Sequence, residues 1–293
     1  MIGVALPSSA ATVAYVGALP SATTSYYEQT GSSGVLFRQG EAAGKAGSEG
    51  IVILDFGRPA FADGGYGTMG FAGSFISLPA IMSGVKSFIT AYYKYAPPGR
   101  TLDVAIGTND SCGTGQPCGD KICGCSDEPA SFYDFGAAWA YVVAKLRWWS
   151  FALRASRNYT DVVRVVGADD AEPGYDPGYH NTYELLAGYA KAVGGPEPAM
   201  VDYGSAERSW SEGQLLQVAY GFPPDVPMPQ IYYSAQATEW AQLLAYAKAV
   251  RHLKITIFGV LAATNPDAAY GEMLTVVARV TRQTSIPWLS KIG

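Results

Sequence analysis

Charged residues are scarce in this chain. Asp, Glu, Lys and Arg make up 15% of its 293 residues, well below the quarter usual for globular proteins. Histidine is scarcer still, with only His180 and His252. Neither belongs to an H-E-x-x-H pair and no G-x-S-x-G occurs, which removes the common zinc-hydrolase and serine-hydrolase signatures. Basic residues are absent from the first 37 positions, Arg38 being the first. The apolar opening MIGVALPSSAATVAYVGALPSA therefore lacks the basic n-region of an intact secretory signal, and fits a start methionine on a trimmed mature chain. No basic cluster is present and the net charge is −5, so nucleic acid is not an expected partner. No apolar run is long enough to insert into a membrane.

Tyrosine, glycine, serine and alanine fill the gap, with 20 tyrosines and 34 glycines. A surface poor in charge and rich in tyrosine suits a secreted or extracellular protein. Cysteine occurs only in one loop, DSCGTGQPCGDKICGCSDEP, at Cys112, Cys118, Cys123 and Cys125. Structural zinc sites favour paired C-x-x-C knuckles, which this spacing does not supply. Two disulfides stapling a loop insertion at 110–130 are the better expectation, in keeping with an oxidising compartment.

Short apolar runs alternate with stretches of helical periodicity. IVILDFGRP (51–59) begins with four apolar residues of the kind buried on both faces of a parallel sheet. TLDVAIGTND (101–110), VVRVVGADD (162–170), AMVDY (199–203), PQIYY (229–233) and ITIFGVL (255–261) repeat the pattern. Helices are expected near 78–95, 132–153, 182–193, 237–250 and 271–280. An open nucleotide-binding sheet would place a phosphate loop straight after its first strand, and Phe56-Gly57-Arg58-Pro59 is no such loop. The expected fold is α/β, a (β/α)8-type TIM barrel formed by 51–293. Residues 1–50 would pack against it, with Ser25–Gly44 as a helix. Six visible strands fall short of eight, so the barrel is either irregular or hides strands in Gly34–Phe37 and Leu215–Tyr220.

The chemistry left by these exclusions is that of carboxylates. Asp55, Asp110, Asp169, Asp170, Glu172 and Asp202 stand at strand ends, which a barrel gathers at one mouth. Two carboxylates flanking a bond, one protonated and one ionised, can cleave a glycosidic linkage, and crowded acids raise each other's pKa. Glu172 is the candidate acid, Asp170 its partner and Asp202 the nucleophile or base. Asp55, Asp169, Tyr175, Tyr203, Trp210 and Tyr232 would bind a carbohydrate substrate, the rings by stacking on sugar faces. Trp139, Trp148, Trp149, Trp240 and Trp288 are expected in the core. No resident metal or cofactor is required, although an acidic mouth also suits Ca²⁺.

GADDAEP (167–173), VDYGSA (201–206) and ILDFGRP (53–59) together resemble a family of secreted bacterial proteins described as glycoside-hydrolase-like barrels. That resemblance implies a barrel with its site at the strand ends. Asp170-Ala171-Glu172 also resembles the D-x-E of chitinase-like barrels, where the Glu is the proton donor. Val165 and Ala168 replace the first two aspartates of the fuller D-x-x-D-x-D-x-E pattern. Two functions remain open: a secreted glycoside hydrolase, or a silent barrel that binds carbohydrate or serves the cell envelope.

Overall fold

The computed structural model describes residues 19–109, 122, 130–173 and 178–293. Its first strand, β1 (Thr23–Tyr27), leads into α1 (Ser33–Lys45) and then β2 (Gly50–Asp55). A three-stranded antiparallel insertion follows, β3 (Arg58–Ala62), β4 (Gly65–Met69) and β5 (Phe75–Ser77), before α2 (Leu78–Tyr95). Strand–helix units then succeed each other: β6 (Thr101–Asn109), α3 (Phe132–Arg157), β7 (Val162–Asp170), α4 (Tyr179–Val193), β8 (Met200–Asp202) and α5 (Glu212–Tyr220). The chain finishes with β9 (Asp225–Pro227), α6 (Ser234–Val250), β10 (Gly259–Ala262), α7 (Pro266–Val280) and β11 (Trp288–Ile292).

Eight strands pair in parallel in the order β10-β11-β1-β2-β6-β7-β8-β9. The two ends of that order meet. Phe258 N–H donates to Pro227 O at 2.8 Å, Leu261 N–H to Pro229 O at 2.9 Å, and Ile231 N–H to Leu261 O at 2.8 Å. A sheet closed on itself leaves no edge, and the result is a (β/α)8 barrel. Thr23–Tyr27, inside the segment expected to pack against the barrel, is one of its strands. Gly34–Phe37 and Leu215–Tyr220, nominated as hidden strands, belong to α1 and α5. The cysteine loop with all four cysteines, Asp110 and Tyr175 lie outside the described residues.

Strand alternation sorts side chains into two cores. Ile51, Ile53, Ala105, Val166, Ala168, Val201, Met228 and Leu261 fill the barrel interior. Val52, Leu54, Val104, Ile106, Val163 and Val165 face the helices, meeting Phe88, Trp139, Leu185 and Trp240. Trp148 departs from its expected core position and is 71% exposed. At the lower end of the barrel Arg164 forks onto Asp103 at 2.6 and 2.7 Å. Burial acts to raise Asp103 while that guanidinium opposes it; the close bidentate geometry keeps the pair ionised.

Gly65-Tyr66-Gly67-Thr68-Met69-Gly70 has G-x-G-x-x-G spacing, but it runs through β4 and opens no helix. It therefore lacks the helix N-terminus on which a phosphate would rest.

Candidate active site

The C-terminal ends of β1, β2, β7 and β8 carry the acids. In register, Tyr27 stands beside Asp55, Thr108 beside Asp169, and Asp169 beside Asp202. Asp55, Asp170 and Asp202 thus share one end of the sheet. They do not share one face.

Asp55 continues the inward series Ile51 and Ile53, and Asp170 the series Val166 and Ala168. Asp169 and Asp202 have the opposite parity, that of Val165 and Met200, which pack toward the helices. Asp202 accordingly lines a small void of about 10 Å³ with Ser205, Trp210, Leu215, Val218 and Trp240. Its Oδ1 accepts Gly204 N–H at 3.0 Å, and burial pushes its pKa up to about 7. The expected nucleophile therefore sits behind the wall, between barrel and helices. Asp169 is likewise fully buried in that wall. Trp210, expected at the substrate, is buried with its ring 5.6 Å from Tyr179.

Inside the mouth, Asp55 is fully buried, with its Oδ1 accepting Gly57 N–H at 2.7 Å. Burial lifts its pKa to about 6, against the hydrogen bonds from Gly57 N–H and the Tyr203 hydroxyl. Tyr203 is also fully buried, so it supports the acids from below and is out of reach of a substrate. Tyr27 and Tyr232 join hydroxyls at 3.0 Å above them. The Asp170 charge acts on Tyr27, Tyr203 and Tyr232 alike.

Glu172 follows the end of β7 and is 8% exposed. Its pKa is raised to about 7, by burial first and then by the charges of Glu207 and Asp55. Asp170 is the partner expected from the sequence. None of the ion pairs among the described residues involves Glu172.

Tyr27 and Glu207 are site residues that sequence reasoning missed. Glu28 is buried beyond Tyr27, with its pKa raised to about 7 by burial, opposed by a hydrogen bond with Gln39. Tyr27 ends TTSYY, a polar strand with no apolar run to mark it, and a helix assignment covered it. Among the described residues, no group of three or more His, Cys, Asp or Glu is arranged to hold a metal ion, including at the acidic loop where Ca²⁺ was considered. No helix among them is long and apolar enough to cross a membrane.

A groove of about 830 Å³ lies away from the acids, between Gln29–Ser32, the antiparallel insertion and the start of α2. It holds no carboxylate pair, whereas the mouth concentrates acids with raised pKa values, so the chemistry is assigned to the mouth.

No family model and no curated protein matches the chain. Two solved structures described as GH113 beta-1,4-mannanase are similar in fold. One, a complex, is 13% identical over 92% of this chain and 87% of its own, with a TM-score of 0.45. The other is 10% identical over 94% and 87%, with a TM-score of 0.46. The barrel assignment rests on the strand pairing itself, and the chain is a (β/α)8 barrel with carboxylates gathered at one mouth.

Proposed function

We propose that this protein is a secreted glycoside hydrolase that cleaves a polysaccharide, with Glu172 as general acid and Asp170 as the ionised carboxylate. The observation that carries this reading is Glu172 itself, a nearly buried carboxyl with its pKa near 7 and no guanidinium partner among the described residues. Protonated, it delivers its proton to the glycosidic oxygen as the bond to the anomeric carbon breaks. Asp170 faces the positive charge that develops on the sugar, and water completes the hydrolysis. Asp55 and Tyr203 form the floor beneath these groups. Asp202 takes no part, because its side chain is behind the wall.

Glu172→Gln keeps the shape and cannot give a proton, so turnover should fall by roughly 10²–10⁴. Wild-type kcat/KM should decline as pH rises above about 7, where Glu172 ionises. A reducing-sugar assay over a polysaccharide panel, repeated across pH, measures both. Equal rates for wild type and Glu172→Gln on a cleaved substrate would remove Glu172 from the mechanism.

A second reading has its own support. The segments after β9 and β10 read Pro229-Gln230-Ile231-Tyr232 and Ala263-Thr264-Asn265 and bring no acid to that side of the mouth. That one-sidedness favours a silent carbohydrate-binding barrel. Binding of a glycan by wild type and Glu172→Gln with no cleavage by either would establish it.

Secretion is supported by the low charge and the clustered cysteines. A thiol titration of the denatured, unreduced protein should find no free thiol; four thiols with stoichiometric zinc would overturn the disulfides.

A further inference from the structure

We propose that Phe71 and Tyr233 are two stacking platforms, one at each end of the Tyr27–Tyr232 bridge, and that they hold a neutral glycan chain across the mouth. This rests on the carbohydrate reading above and extends it to the class of sugar and the residues that grip it.

Single exposed rings are ordinary, but Phe71 and Tyr233 flank the Tyr27–Tyr232 pair and extend it into one aromatic patch at the strand ends, and patches rather than single rings mark binding surfaces. Among the described residues, Phe71 is 46% exposed and Tyr233 is 55% exposed, while the other exposed aromatics belong to α3 and α5. Both mouth rings are held. Phe71 occupies the β4–β5 turn, where Gly70 N–H donates to Ser74 O at 3.0 Å and Gly73 N–H to Gly70 O at 2.8 Å. The turn is pinned to the end of β1 by Phe71 N–H donating to Glu28 O at 3.3 Å. A side chain at Gly70 would press on Ile76 and crowd Glu28 O, so glycine permits that approach. The Phe71 ring then lies 4.7 Å from Tyr27, tilted by 45°.

On the other side, buried Gln236 accepts two backbone N–H groups with one oxygen, from Tyr232 at 2.6 Å and Tyr233 at 3.3 Å. This fixes Tyr232 against Tyr27 and presents Tyr233 to solvent. The contacts run from Phe71 to Tyr27, from the Tyr27 hydroxyl to Tyr232, and on to Tyr233. Asp170 follows the inward series of β7, its charge acts on both tyrosines of this bridge, and the charge of Glu172 acts on Tyr232 and Tyr233.

Flat apolar faces bordered by hydroxyls are complementary to sugar rings, which bind through C–H faces and peripheral hydroxyls. The charge around the mouth selects among sugars. A uronic acid would be brought against Asp55, Asp170, Glu172, Glu207 and Glu239, and repelled. An amino sugar's ammonium beside Glu172 would favour its ionised form and disable it as an acid. A neutral chain avoids both costs.

The test uses full-length Glu172→Gln and measures affinity by electrophoresis in gels containing soluble β-glucan, mannan, xylan, polygalacturonate or chitosan. At least one neutral chain should retard the protein, and the two charged ones should not. Phe71→Ala and Tyr233→Ala should each weaken that binding at least about tenfold, the usual consequence of truncating an aromatic anchor. Phe71→Trp and Tyr233→Trp should preserve it. Tyr141→Ala, an exposed ring on α3, should change nothing. The proposal falls if no neutral chain binds, if a charged chain is preferred, or if well-folded alanine variants bind as tightly as their parent. Loss of affinity in these variants without turnover by wild type sinks the hydrolase reading alone. Turnover by wild type with unchanged affinity in the variants sinks this one alone.

Discussion

Asp170 and Asp202 both end strands, and one residue of parity separates their roles. Asp170 faces the lumen with Val166 and Ala168; Asp202 faces α5 and α6 with Met200. Asp170→Asn should therefore abolish most turnover, and Asp202→Asn should leave it within a few-fold. The two should also separate in stability. Burial holds Asp202 near pKa 7 in the fold, against about 4 unfolded. A raised carboxyl contributes stability that is full below the unfolded pKa and is lost as pH rises through the folded one. Asn cannot ionise and still offers an oxygen to Gly204 N–H, so Asp202→Asn should gain on wild type at pH 8 and show less gain at pH 5. Urea denaturation at the two pH values measures this. An inactive but stable Asp202→Asn would place its carboxylate in the chemistry after all.

Among the elements, β1 shows how a barrel strand can escape notice. Its inward residues Thr23 and Ser25 are polar, because they bond to neighbouring staves. Ser25 Oγ accepts Ile53 N–H at 2.8 Å and meets Ser290 Oγ at 2.7 Å, and Thr23 Oγ1 donates to Ile51 O. The hydroxyls serve backbone groups that would otherwise be buried unpaired. A polar strand of this kind leaves no apolar run to read. The helix layer depends on glycine in a different way. α3 and α4 cross at Gly136, against Leu185 O, and at Gly188, against Tyr133 O; a Cβ at either would collide with backbone. Gly136→Ala or Gly188→Ala should destabilise by about 1–3 kcal/mol, the usual cost of overpacking, seen as a lower urea midpoint. An unchanged midpoint would mean the helices can separate freely.

Taken as a whole, the molecule stores its acids in unfavourable places. Among the described residues, Glu28, Asp55, Glu172, Asp202 and Asp225 have raised pKa values, with burial the first cause in each. Each contributes stability below about pH 4 that is lost as pH rises toward its folded value, near 6 to 7 for Asp55, Glu28, Glu172 and Asp202. The protein should therefore melt at progressively lower temperature from pH 4.5 to 7.5, and Asp55→Asn and Asp202→Asn together should flatten that slope. A melting temperature that climbs over this range would contradict the assigned burial. Asp55 and Glu172 bring this strain to the strand ends, where it marks a functional mouth.

The sequence by itself determined the alternation of strands and helices, the strand-end position of Asp55, Asp170, Glu172 and Asp202, and the lack of an H-E-x-x-H or G-x-S-x-G motif. These are local properties: a buried strand needs apolar β-branched residues, and a residue type is present or absent. Tertiary structure alone decided the rest. Closure recruited β1 and the short β9 and β11, whose ladders are completed by partners far along the chain. Parity against neighbouring strands moved Asp169 and Asp202 out of the mouth, and folding brought in Tyr27 and Glu207. The pairing of Tyr27 with Tyr232, 205 residues apart in sequence, has no local signature. Which face a side chain takes at a strand end, and whose charge it meets there, depends on register and closure, which are properties of the whole barrel.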